Sequence, residues 1–200
     1  LSLPGVEILE VANRTVESGQ KVAADFHIPR VRTSWKEVAT SPDLDAVVIG
    51  TWPYLHCEAT CLALDSGKHV LCEARMAMNT AEALKMLETS RKHPDRVAQL
   101  VPAPFTFHVD RTLAGRLKRG DLGRLLYFQV NYQSSALAAP GPTLHWRRNI
   151  RYSGVNTMVL GIVYESLLRW LPPARWVNAS AQVFNDTAVD PDTGQTVAVQ

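Results

Sequence analysis

The stretch Lys68-His69-Val70-Leu71-Cys72-Glu73-Ala74-Arg75-Met76-Ala77 reads as a short buried strand running straight into a polar, charged elbow. A helix precedes it and stops at Gly67. Another helix follows, started by the capping box Asn79-Thr80-Ala81-Glu82. Helix, strand, elbow and helix in this order make a unit of a parallel sheet, and ligands bind such sheets beyond the carboxyl ends of the strands. Glu73 and Arg75 therefore stand where chemistry is expected.

Working outward, the same unit repeats. Residues 44–50 form a near-continuous apolar strand, the pattern of a sheet covered on both faces, and Thr51-Trp52-Pro53 is its exit elbow. A helix over residues 54–66 follows, with Leu55, Leu62 and its alanines facing inward. Upstream, residues 6–12 alternate as a strand and end at Asn13-Arg14, with Thr15 capping a helix that Ile28-Pro29 stops. Ser34-Trp35-Lys36-Glu37 is a second capping box. Residues 97–101 are a further strand, broken by Pro102 and Pro104. Strands alternating with helices across short links specify a helix-wound parallel sheet for residues 1–103.

The character changes from Pro104. An amphipathic helix over 109–118 closes at Gly120, and residues 124–132 alternate as a strand. A loop rich in Pro, Gly and Ala leads to a helix over 154–171 that Pro172-Pro173 ends. Residues 176–184 alternate again, and Asp192-Thr193-Gly194 turns into a last strand. Two helices among alternating strands predict a second, sheet-based domain over 104–200, incomplete here.

Of the 200 residues, 46% are hydrophobic and 20% charged, with a net charge of +2, which is globular composition without an electrostatic case for nucleic acid or an anionic membrane. No apolar run approaches the roughly 20 residues of a membrane-spanning helix. Cys57, Cys61 and Cys72 make no paired disulfide framework, so a cytoplasmic location is expected. Cys57 and Cys61 share a helix face, but no second cluster completes a metal's ligands, and none is expected.

Several phrases resemble one family, the glucose–fructose oxidoreductase, inositol dehydrogenase and rhizopine-catabolism (Gfo/Idh/MocA) proteins. They are Asp45-Ala46-Val47-Val48-Ile49-Gly50-Thr51-Trp52-Pro53-Tyr54-Leu55-His56, Ala63-Leu64-Asp65-Ser66-Gly67-Lys68-His69-Val70-Leu71-Cys72-Glu73, Arg119-Gly120-Asp121-Leu122-Gly123-Arg124 and the segment 154–171. The resemblance implies an α/β protein: an N-terminal Rossmann sheet and a C-terminal α/β domain with an open mixed, mainly antiparallel sheet. It also implies that this chain starts at the second strand, the glycine-rich phosphate turn lying before it. NAD(H) or NADP(H) would be the cofactor, a sugar, polyol or related small polar molecule the substrate, and a homo-oligomer through the C-terminal sheet the assembly.

In that frame Asn13-Arg14-Thr15 meets the adenosine ribose. An acid there favours NAD and a basic residue accommodates the 2′-phosphate of NADP, so one guanidinium and no acid lean toward NADP; the competing view is a solvated elbow with Thr15 as a cap. Thr51, Trp52, Pro53 and His56 line the nicotinamide side with Glu73, unless Trp52 only packs at the helix entry and His56 only fills the helix's first turn. The family's strand-exit Glu-Lys-Pro reads Glu73-Ala74-Arg75 here, and its helical Asp and His fall on Val159 and Val163. The usual lysine, aspartate and histidine are therefore absent. Arg75 cannot exchange a proton near neutrality, but it can hold a carboxylate or phosphate or stabilise an oxyanion; the alternative is a surface ion pair with Glu73 or Glu82.

His145 and Tyr164 are the remaining candidates for proton transfer beside Arg75. Arg147, Arg148 and Asn156 are candidates for holding a substrate, including an acidic one. Each has a plainer role open to it: a solvated loop for His145, a core aromatic for Tyr164. An oxidoreductase and a non-catalytic dinucleotide-binding protein both remain open.

Overall fold

The computed structural model describes residues 3–102, 108–134, 143–155, 158–182, 185–191 and 193–198. The chain divides into two compact units, Leu1–Val101 and Pro102–Gln200.

In the first unit, strands β1 (Glu10–Val11) and β2 (Arg30–Val31) pair in parallel, as do β3 (Ala46–Ile49), β4 (His69–Cys72) and β5 (Ala98–Leu100) in the order β3-β4-β5. The helices α1 (Val16–Phe26), α2 (Trp35–Thr40), α3 (Pro53–Asp65) and α4 (Thr80–Lys92) connect them. β1 is shorter than the alternation over 6–12 predicts, and β2, at two residues, is too short to leave a periodic signal.

The helix starts follow local chemistry. Thr15, Ser34 and Asn79 each accept a backbone N–H of their helix's first turn. Both capping boxes are displaced by one residue: Glu37 accepts the amide of Thr33 and Glu82 that of Met78, each the residue before the cap. Pro53 opens α3 where its missing N–H costs nothing. Gly19 sits inside α1 because a Cβ there would lie 2.9 Å from Val31 Cγ1; the helix approaches β2 closely where it has no side chain.

The core lies between the β3–β4 sheet and the two helices α3 and α4. Val47, Ile49, Val70 and Cys72 face it from the strands, and Ala59, Ala63, Leu64 and Met86 from the helices. Leu64 and Ala63 are fully buried, whereas Leu55 and Leu62 are only half-buried. The expectation of a sheet covered on both faces fails for β3: Val48, pointing to the other face, is 72% exposed among the described residues. Between α4 and strands β4 and β5 lies a cavity of about 510 Å³, walled by Val70, Met76, Leu84, Leu87 and Leu100.

In the second unit, α5 (Asp110–Arg119) ends at Gly120, whose φ of 77° is the left-handed conformation that lets the chain turn away. A 3-10 turn (Trp146–Arg148) and a short α6 (Ile150–Ser153) come next. The helix expected over 154–171 is α7 (Met158–Leu167), narrower than the range read from the sequence. Residues 124–132 are in no ladder among the described residues, although their side chains alternate as an extended chain requires: Tyr127 Oη donates to Gln129 Oε1 at 3.2 Å and Gln129 Nε2 to Asn131 Oδ1 at 3.3 Å. Nor do the described residues of 176–184 form a strand. The antiparallel pairing is made by β6 (Thr187–Val189) and β7 (Thr196–Ala198).

Candidate functional site

Two strand-exit elbows of the first unit meet through their side chains. β1 leads into Asn13-Arg14-Thr15. Thr15 Oγ1 accepts the Ser18 amide at 3.2 Å and Asn13 Nδ2 donates to Ser18 Oγ at 2.9 Å, so the residues on either side of Arg14 are tied to α1. The Thr15 hydroxyl is thus a helix cap. Arg14 itself is exposed, and its guanidinium carbon lies 5.3 Å from the centroid of the Trp52 ring, at the exit of β3. A cation–π contact of this kind does not consume the guanidinium's N–H donors.

The exits of β3 and β4 are joined by His56. Its ring is 1% exposed. Nε2 lies 2.9 Å from the Thr51 carbonyl oxygen and Nδ1 2.6 Å from that of Arg75. Both partners can only accept, so a neutral ring donates to one of them and an imidazolium to both. His56 therefore presents no open ring edge to a ligand. It braces the elbow of Thr51-Trp52-Pro53 against that of Glu73-Ala74-Arg75. The Glu73 amide donates to Ile49 O at 2.9 Å, and the Glu73 carboxylate accepts the Ala74 amide at 3.2 Å. The Ala74–Arg75 peptide is cis, and the Arg75 side chain is half-buried.

Beneath β1 is a charged group that sequence reasoning missed. Glu10, with its side chain fully buried, accepts Arg32 Nε at 3.0 Å and Nη2 at 2.8 Å, Arg30 Nη2 at 3.0 Å and Ser41 Oγ at 3.0 Å. The two-pronged Arg32 contact holds the Glu10 carboxyl below the usual carboxylate range, with burial opposing it. The available signal was an acid inside an apolar strand, which demands a partner without saying which.

The thiols are packing groups. Burial pushes Cys72 up to about 11, and burial with the neighbouring Cys61 does the same for Cys57. No three His, Cys, Asp or Glu side chains gather as metal ligands do among the described residues. Native protein treated with iodoacetamide at pH 8 should leave all three cysteines unmodified, and guanidinium should release them. Mass spectrometry showing fast native alkylation of Cys57 or Cys72 would contradict this.

In the second unit, His145 Nδ1 accepts the Arg147 amide at 3.2 Å, capping the 3-10 turn, and Arg147 stacks 4.1 Å from the Trp146 ring centroid. Arg148 closes that turn. Tyr164 Oη accepts the Ala174 amide at 3.3 Å. Asn156 lies outside the described residues. Arg169 pairs with Asp110 at 3.1 Å, and Trp170 Nε1 donates to the same carboxylate at 3.0 Å.

Parallel strands linked by helices, with the exit elbows of β1, β3 and β4 in contact, give the first unit a Rossmann form. Residues 2–100 match the model of an oxidoreductase family with an NAD-binding Rossmann fold. The chain belongs to that family, the Gfo/Idh/MocA oxidoreductases. It is 32% identical over 193 residues to trans-1,2-dihydrobenzene-1,2-diol dehydrogenase of Mus musculus, covering 94% of this chain and 56% of the mouse protein. It is 36% identical over 88 residues to 1,5-anhydro-D-fructose reductase of Ensifer adhaerens, covering 44% of this chain and 26% of that protein. The structure of levoglucosan dehydrogenase in complex with NADH and levoglucosan superposes with a TM-score of 0.74 at 22% identity, over 96% of this chain and 52% of the other. The chain thus spans from about a quarter to just over half of the curated relatives it matches. Among the described residues no helix is long and apolar enough to cross a membrane.

Proposed function

We propose that this chain carries the cofactor crevice, and part of the substrate site, of an NAD(P)-dependent oxidoreductase that transfers hydride to or from a sugar, a polyol or a related diol. The observation that carries this is the meeting of Arg14 and Trp52 at the carboxyl ends of β1 and β3, in a chain of this family. The donor set suits a dinucleotide. Arg14 has no carboxylate partner among the described residues, and its elbow lacks the acid that a free ribose diol would pair with. We favour NADP(H) for that reason. The relatives' names, a diol dehydrogenase and an anhydrosugar reductase, support the substrate class.

Bound in the crevice, the dinucleotide supplies the hydride acceptor or donor. Arg14 with Asn13 would hold its adenosine end, where Trp52, expected on the nicotinamide side, instead meets Arg14, and Thr51 and Pro53 would line the crevice toward the nicotinamide, with Glu73 at the neighbouring exit. Arg75 would orient an acidic or carbonyl substrate group without exchanging its proton. His145 and Tyr164 are proposed for proton transfer, with Arg147, Arg148 and Asn156 as substrate contacts. The division at 103/104, a homo-oligomer through the second unit's sheet and a cytoplasmic location complete the proposal.

A second reading, a dinucleotide-binding protein without turnover, is favoured by one observation. His145 Nδ1 and Tyr164 Oη both hold backbone amides, which are structural duties. One experiment separates the two: screen the full-length protein with NADP and NAD against diols, polyols and sugar acids. Turnover is expected, with Arg75→Ala lowering kcat/KM at least about tenfold, as loss of a charged substrate contact does. Cofactor binding with no turnover across the panel would select the second reading, and no binding would remove both.

A further inference from the structure

We propose that Trp52 is a positioning residue: it holds the Arg14 guanidinium ready for a phosphate on the 2′ position of the cofactor's adenosine. Cofactor choice would then be read by the β1 and β3 elbows together. This rests on the dinucleotide reading above.

An exposed arginine samples many rotamers, and ordering it on a ligand weakens binding. Here the backbone around Arg14 is already tied, by Asn13 to Ser18 and by the Thr15 cap. The long side chain is what remains to be ordered, and the Trp52 ring, 5.3 Å from its guanidinium carbon, supplies the surface that orders it. Trp52 is itself on a rigid base. It is half-buried, Pro53 follows it as the first residue of α3, and His56 fixes that first turn to the Thr51 and Arg75 carbonyls. An indole seated this way keeps the guanidinium beside the crevice while its N–H donors stay available for phosphate oxygens. Asn13 and Thr15, the other polar residues of the elbow, are uncharged and tied to Ser18, so the charge-paired 2′-phosphate contact falls on Arg14.

The test is a set of binding titrations on the full-length protein, with NADPH and NADH followed by calorimetry and melting curves confirming that each variant folds. Trp52→Leu should lower the ratio of NADPH to NADH affinity by about two- to fivefold, the range of an exposed cation–π contact. Trp52→Phe should restore most of it. Arg14→Gln should lower the ratio further, and Trp52→Leu should add nothing in that background. An unchanged ratio in Trp52→Leu, equal losses for both cofactors, or additive effects in the double variant would overturn the proposal. So would a wild-type protein that prefers NADH. A wild-type protein that binds neither cofactor would overturn the dinucleotide reading itself, a result visible before any substitution is made.

Discussion

Replacing His56 by Leu should destabilise the first unit by about 2–4 kcal/mol and loosen cofactor binding with it. The ring is almost wholly buried and both its nitrogens face carbonyl oxygens, those of Thr51 and Arg75. Leucine is similar enough in bulk to fill much of the space, so the loss comes from polar groups left without a donor rather than from a cavity. His56→Gln supplies an amide NH2 at one end only, enough for one of the two carbonyls, and should lose roughly half as much. Denaturant unfolding measures the stability, and a cofactor titration under native conditions measures the second effect. A His56→Leu protein within 0.5 kcal/mol or so of wild type, the scatter of ordinary surface changes, would show that the brace contributes nothing.

The second large effect is at Glu10. Glu10→Gln removes the charge that two arginines and Ser41 converge on, and should cost about 2–4 kcal/mol, since breaking a buried pair leaves its partners poorly matched. Arg30 and Arg32 are 40% and 34% exposed, so water rescues them in part and keeps the cost below that of a fully enclosed pair. The pH dependence has a definite sign. The folded carboxyl is held below its ordinary value, so its contribution is complete above about 4.3, the value of the unfolded group. It then disappears as pH falls through the lower folded value. Wild-type stability should therefore drop steeply on the acid side, and Glu10→Gln should flatten that drop. Parallel acid curves for the two proteins would remove Glu10 from the account.

What was legible from residues alone shares one physical property: the signal and its consequence lie within a turn of each other. Thr15, Ser34 and Asn79 cap their helices as read, because a cap is satisfied by amides two or three residues away. The apolar runs of β3 and β4 announce themselves in the same way. Alternation was less dependable. Residues 124–132 carry it and remain extended, yet no ladder takes them up among the described residues. The pattern describes a chain fit to be a strand, while pairing depends on what lies beside it. In the second unit the helix read over 154–171 is the narrower α7, and the 3-10 turn and α6 ahead of it, capped by His145 and Asn149, are too short for a periodic signal to announce them.

The strand exits were legible in location and opaque in wiring. Such elbows can be counted along a chain, and Asn13-Arg14-Thr15, Thr51-Trp52-Pro53 and Glu73-Ala74-Arg75 do follow β1, β3 and β4. Which side chain meets which was beyond reach. Thr15 spends its hydroxyl on a cap, His56 turns inward as a brace 19 residues from Arg75, and Glu10 finds partners 22 and 31 residues away. By itself the sequence determined the succession of helices and strands and the family they belong to, since caps, periods and elbow motifs are short-range properties. Only the tertiary structure decided that Arg14 lies against Trp52 and that His56 locks the opening elbow, residues 73–75, to its neighbour. Those contacts depend on how parallel strands stack, and strand stacking is settled by burial and register across the sheet rather than by neighbours along the chain.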